Sequence, residues 1–183
     1  MESVGFKEWA LVCEALGRGE QSILLRKGGI AEGRAGFQFQ HAEFFLFPTF
    51  FHEQVGKTRA LSAKIPEERA GDIEIRFLAK VELATVVTDW ETVLALEPFH
   101  ILTREVVRER FDYDEAPGIH VAFVRVFELE PGWIFPDAPR YGGCRSWVEL
   151  PPLPKGARLE TVLSDSENGE RFRRFFAAVS APG

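Results

Sequence analysis

Alternation with a period of two is the strongest pattern in the chain. Between 73 and 87, Ile73, Ile75, Phe77, Ala79, Val81, Leu83, Thr85 and Val87 share one face, opposite Glu74, Arg76, Lys80 and Glu82. A segment this long exceeds an ordinary strand two- to threefold, so it is expected to bend sharply or divide into two strands, as when a sheet curls toward a barrel. A second alternating run, 119 to 129, sets Ile119, Val121, Phe123, Phe127 and Leu129 on one face, with Arg125 as the one charge among them. Shorter strands are expected at 21–27, at 37–47 and at 145–150.

Helical spacing is weaker and lies between and outside these strands. Phe6, Trp9, Ala10, Cys13 and Leu16 predict a helix over 6–16, stopped by Gly17 and Gly19. Asp89 caps a short helix bearing Trp90, Val93 and Leu94, and Thr103 caps another that runs to about Phe111. After the proline-rich link PPLPKG, Ser164-Asp165-Ser166-Glu167 has capping-box form and opens a helix to about 179, striped by Phe172, Phe175, Phe176 and Val179. No βαβ alternation is present. The expected architecture is α+β, a curled and mainly antiparallel sheet or small β-barrel with flanking helices. The whole chain, 1–183, reads as a single domain, with a barrel core at about 19–150 and the helix at about 164–179 packed on it.

Composition changes this picture in two places. Hydrophobic residues make up 45% of the 183, enough for a real core, which excludes disorder. Seventeen are phenylalanine, seven of them crowded in FQFQHAEFFLFPTFF. Phe37, Phe39, Phe45 and Phe47 are expected to fill the barrel and Phe172, Phe175 and Phe176 to fasten the last helix, leaving Phe44, Phe50 and Phe51 as exposed contacts for a partner. The formal charge of −6 excludes a protein that coats nucleic acid by bulk electrostatics and leaves room for a local basic groove. No signal peptide is visible, apolar runs of about eight residues are far too short for a membrane span, and Cys13 and Cys144 cannot supply a disulfide framework. A cytoplasmic protein without a membrane partner is expected.

Few residues point to catalysis. His41, His52, His100 and His120 form no His-x-x-x-His or Cys-x-x-Cys pair, so no local metal site and no cofactor are expected. The loop GGIAEGRAG lacks the strand-to-helix setting and the Lys-Ser/Thr ending of a phosphate-binding loop. Cys144, in YGGCRSW, is a candidate nucleophile beside Arg145, and Cys13 falls among core positions. An Asp…Glu-x-Lys nuclease pattern starting at Asp72 fails, because Leu78 stands two residues before Lys80. Cations interleaved with aromatics are more suggestive: Arg26 and Lys27 at a strand end, His52 after the phenylalanine cluster, then Arg145 and Trp147. Aromatic faces stack bases while Arg and Lys meet phosphate, the usual way of holding single-stranded or flipped nucleotides.

The segments LLRKGGIAE, FFLFPTFFHEQ, HILTREVVRERF and YGGCRSWVELP, in that order, resemble an uncharacterised bacterial family, number 1802 in the domain-of-unknown-function series. The likeness spans Glu8-Trp9 to Leu150. It implies work near DNA, since some members are fused to restriction-endonuclease-type domains. Here Glu53 separates His52 from Gln54, where the family pattern has His-Gln directly. The run VELATVVTD…LEPFHILTREVVRERF…GIHVAFVRVFELEP is also similar to PUA-like barrels of the ASCH type. Their Gly-x-Lys-x-x-Glu-x-Arg signature maps onto Gly19 to Arg26, with Gln21 in place of lysine and Leu24 in place of glutamate. That resemblance implies a ligand cleft without the acid and base of the amidohydrolase relatives.

Three functions follow as expectations. The first is a binding domain for nucleic acid, DNA or RNA, or for a modified nucleobase, linked to restriction or RNA/DNA metabolism. Its ligand site is Arg26, Lys27, His52, Arg145 and Trp147, with Trp147 stacking, the cations holding phosphate and His52 meeting a base edge. The second is a metal-dependent nuclease or hydrolase that uses His52 and Glu53, or Cys144. The third is a protein-interaction domain docking through Phe50 and Phe51.

Overall fold

The computed structural model describes residues 3–27, 37–59, 66–113 and 116–181; the glycine-rich loop 28–36 lies outside them. Chain order is β1 (Val4–Trp9), α1 (Ala10–Gly17), β2 (Ile23–Arg26), β3 (Glu43–Thr49), β4 (Asp72–Val87), α2 (Trp90–Ala95), α3 (Arg104–Phe111), β5 (Ile119–Pro136), β6 (Trp147–Glu149), β7 (Arg158–Thr161) and α4 (Asp165–Ser180). The seven strands form one sheet in the order β2-β5-β4-β3-β1-β6, with β7 beside β2 on the same edge of β5. All pairs are antiparallel except β1 with β3. The fold is α+β on a curled, mainly antiparallel sheet. No ladder joins β2 to β1 or β6 among the described residues, so the sheet is not closed.

The expected helix over 6–16 is corrected. Its first half is β1, which pairs Phe6 with Leu46 of β3 and with Trp147 of β6, and only Ala10 onward is helical. Phe6 and Trp9 keep helical spacing with Ala10, Cys13 and Leu16 by coincidence, because strand and helix meet at Trp9 and both bury their apolar residues. At the far end of α1, a Cβ on Gly17 would sit 2.1 Å from the Phe77 ring, so glycine is what lets the helix lie against β4.

The long alternating segment is one strand, not two, and it accommodates the bend through register shifts after Ile75 and after Val81. The first shift moves one set of side chains to the other face: Ile75 packs with Leu129, Trp133 and Phe135, whereas Phe77 and Ala79 pack with Phe6, Phe44 and Phe123. The sheet is therefore covered on both faces. This explains the unbroken FFLF of β3, where Phe44 and Leu46 enter one apolar layer and Phe45 and Phe47 the other. Phe44 is fully buried, which corrects its expected role as an exposed contact. Phe50 and Phe51 are half-buried, the latter with its ring edge-on to Trp9 at 5.1 Å.

The capping expectations hold. Asp89 accepts from the Thr92 amide at 2.7 Å, Thr103 from the Val106 amide at 3.5 Å, and Ser164 and Glu167 form a complete capping box. Phe175 of α4 is buried against Phe99 and Phe123, while Phe176 stays half-exposed, stacked on Phe172. Arg125 does not stand alone, because its guanidinium pairs with Asp165 in the first turn of α4. Among the described residues no helix is long and apolar enough to cross a membrane.

Candidate functional site

Curling brings the two ends of the sheet together. Arg26, the last residue of β2, donates from Nη2 to the hydroxyl of Ser146, just before β6, at 3.1 Å, although these strands stand at opposite ends of the strand order. The backbone continues the closure on the β1 side, where the Lys7 amide donates to the Ser146 carbonyl at 2.8 Å. Above this seam lies a cleft of about 460 Å³. Its walls are Lys7 and Trp9 of β1, Arg26 and Lys27 at the end of β2, Thr49 of β3, Glu109, Arg110 and Tyr113 at the end of α3, and the loop Gly143 to Ser146.

The cleft is cationic on balance, with Lys7, Arg26, Lys27, Arg110 and Arg145 set against one carboxylate, Glu109. Lys7 donates to the Gly143 carbonyl at 3.1 Å, and Lys27 donates to the carbonyls of Ala116 and Gly118, each at 3.0 Å. Arg26 lies over the Phe6 ring, 5.4 Å from its centre. Arg145 is exposed, and among the described residues Lys7, Arg26 and Arg145 have no carboxylate partner within ion-pair distance. The Lys7 amine is held below its ordinary pKa, first by burial and then by the Arg145 charge, with Cys144 and Asp137 acting the other way. Such a site gains from an anion, which offsets repulsion that the protein compensates only in part.

Arg110 is different in kind. Its guanidinium is nearly buried, donates from Nη1 to the Leu25 carbonyl at 2.5 Å, stands 3.9 Å from Glu8 and lies 4.9 Å from the centre of the Trp9 ring. Burial, opposed by Glu8 and reinforced by Arg26, lowers its pKa, yet an arginine stays charged. It satisfies an edge carbonyl of β2 and fixes Trp9, and so serves as the latch of the seam.

The structure brings together three of the five residues proposed from sequence, Arg26, Lys27 and Arg145. Trp147 is close by but packs into an aromatic cluster, 4.9 Å from Phe6 and 5.1 Å from Phe44, with its indole N–H buried and without a partner. It lines an adjoining hollow of about 890 Å³ with His41, Arg140 and Arg145. His52 is exposed at the start of a single 3-10 turn, His52–Gln54, and lines neither space. In that turn the buried residue is Gln54, whose side chain accepts from the Leu11 amide at 3.0 Å. Cys144 is exposed at the cleft, and Cys13 is buried with its thiol pKa pushed up by burial.

Two other histidines are explained by packing: His41 meets the Trp147 ring at 4.8 Å and His120 the Phe37 ring at 5.6 Å. His100 is buried and accepts at Nδ1 from the Leu102 amide; burial, with help from Arg59 and Arg110, lowers its pKa to about 3.

Sequence reasoning missed Lys7, Trp9, Arg110 and Tyr113. Lys7 was hidden by the helical reading of 6–16, which scatters residues that a strand aligns. Arg110 did leave a signal. It follows Val107 by three residues and Val106 by four, which places a cation on the buried face of α3.

The model of a family described as a domain of unknown function (DUF1802) matches residues 5–174. No curated protein matches the chain. Among solved structures, ASCH from Zymomonas mobilis is similar at 11% identity and a TM-score of 0.43, over 94% of each chain. A serine-to-alanine mutant of that protein is similar at 10% identity and a TM-score of 0.46, over 94% of this chain and 95% of the other.

Proposed function

The chain belongs to the DUF1802 family of domains of unknown function, and because that membership assigns no activity, we propose from the molecule's own geometry that it binds nucleic acid through the cationic seam cleft. One observation carries the reading: Lys7, Arg26 and Arg145, without carboxylate partners, line one cleft with Lys27 and with two aromatic rings, Trp9 and Tyr113. Tyr113 is 55% exposed and has a face on which a base can stack. Confinement of these cations to one seam reconciles an anionic ligand with a net charge of −6.

Binding is favoured over hydrolysis by what surrounds the candidate nucleophile. Cys144 reaches the cleft, but no histidine lines it to act as a base, and the one carboxylate there, Glu109, makes no hydrogen bond to the thiol among the described residues. The metal-dependent alternative needs a third ligating side chain beside His52 and Glu53, and no group of three His, Cys, Asp or Glu able to hold a metal occurs among the described residues.

The test is fluorescence anisotropy with labelled single- and double-stranded DNA and RNA across a salt series. Affinity should fall steeply with salt, and Arg26→Ala and Arg145→Ala should each weaken binding about tenfold for every sequence, with a shallower salt slope. Absence of binding to all four probes, or binding that ignores both substitutions, would refute the proposal.

A further inference from the structure

The seam cleft does not end at Arg145. On the far side of that side chain lies the hollow of about 890 Å³ whose walls include Arg140, His41 and Trp147. Arg145 lines both spaces and is therefore the ridge between them. Each space falls within the roughly 300–1,000 Å³ that accommodates a small-molecule ligand such as one nucleotide.

Chemistry repeats across the ridge. The seam cleft offers Arg26 and Lys7 beside Trp9 and Tyr113; the hollow offers Arg140 beside Trp147. Arg140 makes a hydrogen bond to the Tyr141 hydroxyl at 2.7 Å and lies over that ring, and like Arg145 it has no carboxylate partner among the described residues. One acidic residue, Glu149, lines the hollow and limits how much anionic charge it attracts. A cation shared by two adjacent ligand-sized spaces, each with its own cation and aromatic wall, matches a polymer whose charge sits at the links between its units.

We infer that the ligand is a single strand at least two nucleotides long, which crosses from the seam cleft into the Trp147 hollow with its linking phosphate at Arg145. This rests on the reading of the seam cleft as a nucleic-acid site. The guanidinium of Arg145 meets the phosphodiester, Arg140 meets the next phosphate along, and one base lies in each space. Duplex does not suit this path, because its bases are already stacked and paired.

Affinities of a nucleoside monophosphate, the corresponding dinucleotide and a short single strand should be measured by calorimetry at fixed low salt, with a hairpin duplex as a further probe. The dinucleotide and the strand should bind at least about tenfold more tightly than the monophosphate, and the hairpin more weakly than the strand. Arg140→Ala should lower affinity for the strand several-fold and for the monophosphate clearly less, since a single nucleotide keeps the seam cleft, whereas Arg145→Ala should weaken both. Arg140→Lys, which keeps the charge, should retain the preference for length. A dinucleotide no tighter than the monophosphate, equal losses for both probes in Arg140→Ala, or a preference for the hairpin would overturn the two-space path while leaving the seam cleft as a nucleotide site. No binding by any probe would remove the underlying reading and the path with it.

Discussion

Two hollows of nearly equal size treat charge in opposite ways. The seam cleft, about 460 Å³, collects cations and leaves Lys7, Arg26 and Arg145 without a carboxylate. The groove beside α1, about 470 Å³, contains Arg69 and Arg76 among Glu14, Glu67, Glu68, Asp72 and Glu74. There Arg76 holds Glu14 at 2.8 Å and Glu128 at 3.3 Å, and Arg69 holds Glu74 at 2.7 Å. Its arginines are already occupied, and an anion entering it meets a surplus of carboxylates. Cavity size therefore does not separate the two; the state of the cations does.

The contrast can be broken in order of expected effect. Replacing Arg26 and Arg145 together with glutamate should weaken single-strand binding by more than about a hundredfold, while the same change at Arg69 and Arg76 should leave it within about twofold. Equal losses from both pairs, read by anisotropy, would mean that net charge rather than the seam governs binding. Next comes the latch. Glu8→Gln leaves the Arg110 guanidinium without its nearby counter-charge in a nearly buried place and should cost about 3 kcal/mol in urea unfolding. The matching change in the groove, Glu14→Gln, should cost less than about 1 kcal/mol, because Arg76 is well solvated and keeps Glu128.

A pH effect grows with the depth of the acid titration and so has no fixed place between these two. His100 is neutral in the fold down to about pH 3, whereas in the unfolded chain it takes up a proton near 6.5. The unfolded state thus binds more protons in that window, and stability should fall as pH drops from 6.5 toward 3. Urea midpoints across the window should decline less in His100→Gln than in the parent protein. A parallel decline would show that other groups carry the acid sensitivity.

Most elements were legible where one physical signal dominated. The caps at Asp89, Thr103 and Ser164 are local side-chain chemistry; the FFLF core of β3 is unbroken, although the strand expected at 37–47 runs Glu43–Thr49, and α4 carries an apolar stripe at helical spacing. β1 was not legible because Phe6 and Trp9 continue the spacing of α1 through a change of structure. β7 carries no pattern at all, since all four of its residues are exposed and only pairing with β5 makes it a strand. β5 runs on through Pro131 and Gly132, residues that read as a stop, because the register shift opposite Ile75 absorbs them.

The cleft divides in the same manner. Arg26, Lys27 and Arg145 stand beside glycines or aromatics and attract notice. Lys7 and Arg110 acquire meaning only once residues about 100 positions apart become neighbours. Trp147 was legible as an aromatic near cations, but its burial against Phe6 and Phe44 comes from the β1–β6 pairing, which the helical reading of 6–16 concealed.

The β1–β6 pairing also fixes an order of events. Val4 pairs with Glu149, and the Lys7 amide meets the Ser146 carbonyl, so one wall of the seam is synthesised some 140 residues before the other. Contacts of such sequence separation carry the largest loop-closure cost and slow folding. During translation the cationic cleft cannot exist until Ser146 has left the ribosome, and a nascent chain short of that point offers β1 with one edge unpaired. The proposed affinity for an anionic ligand would in this sense be a report on completed topology, gained only when the two ends of the sheet have met.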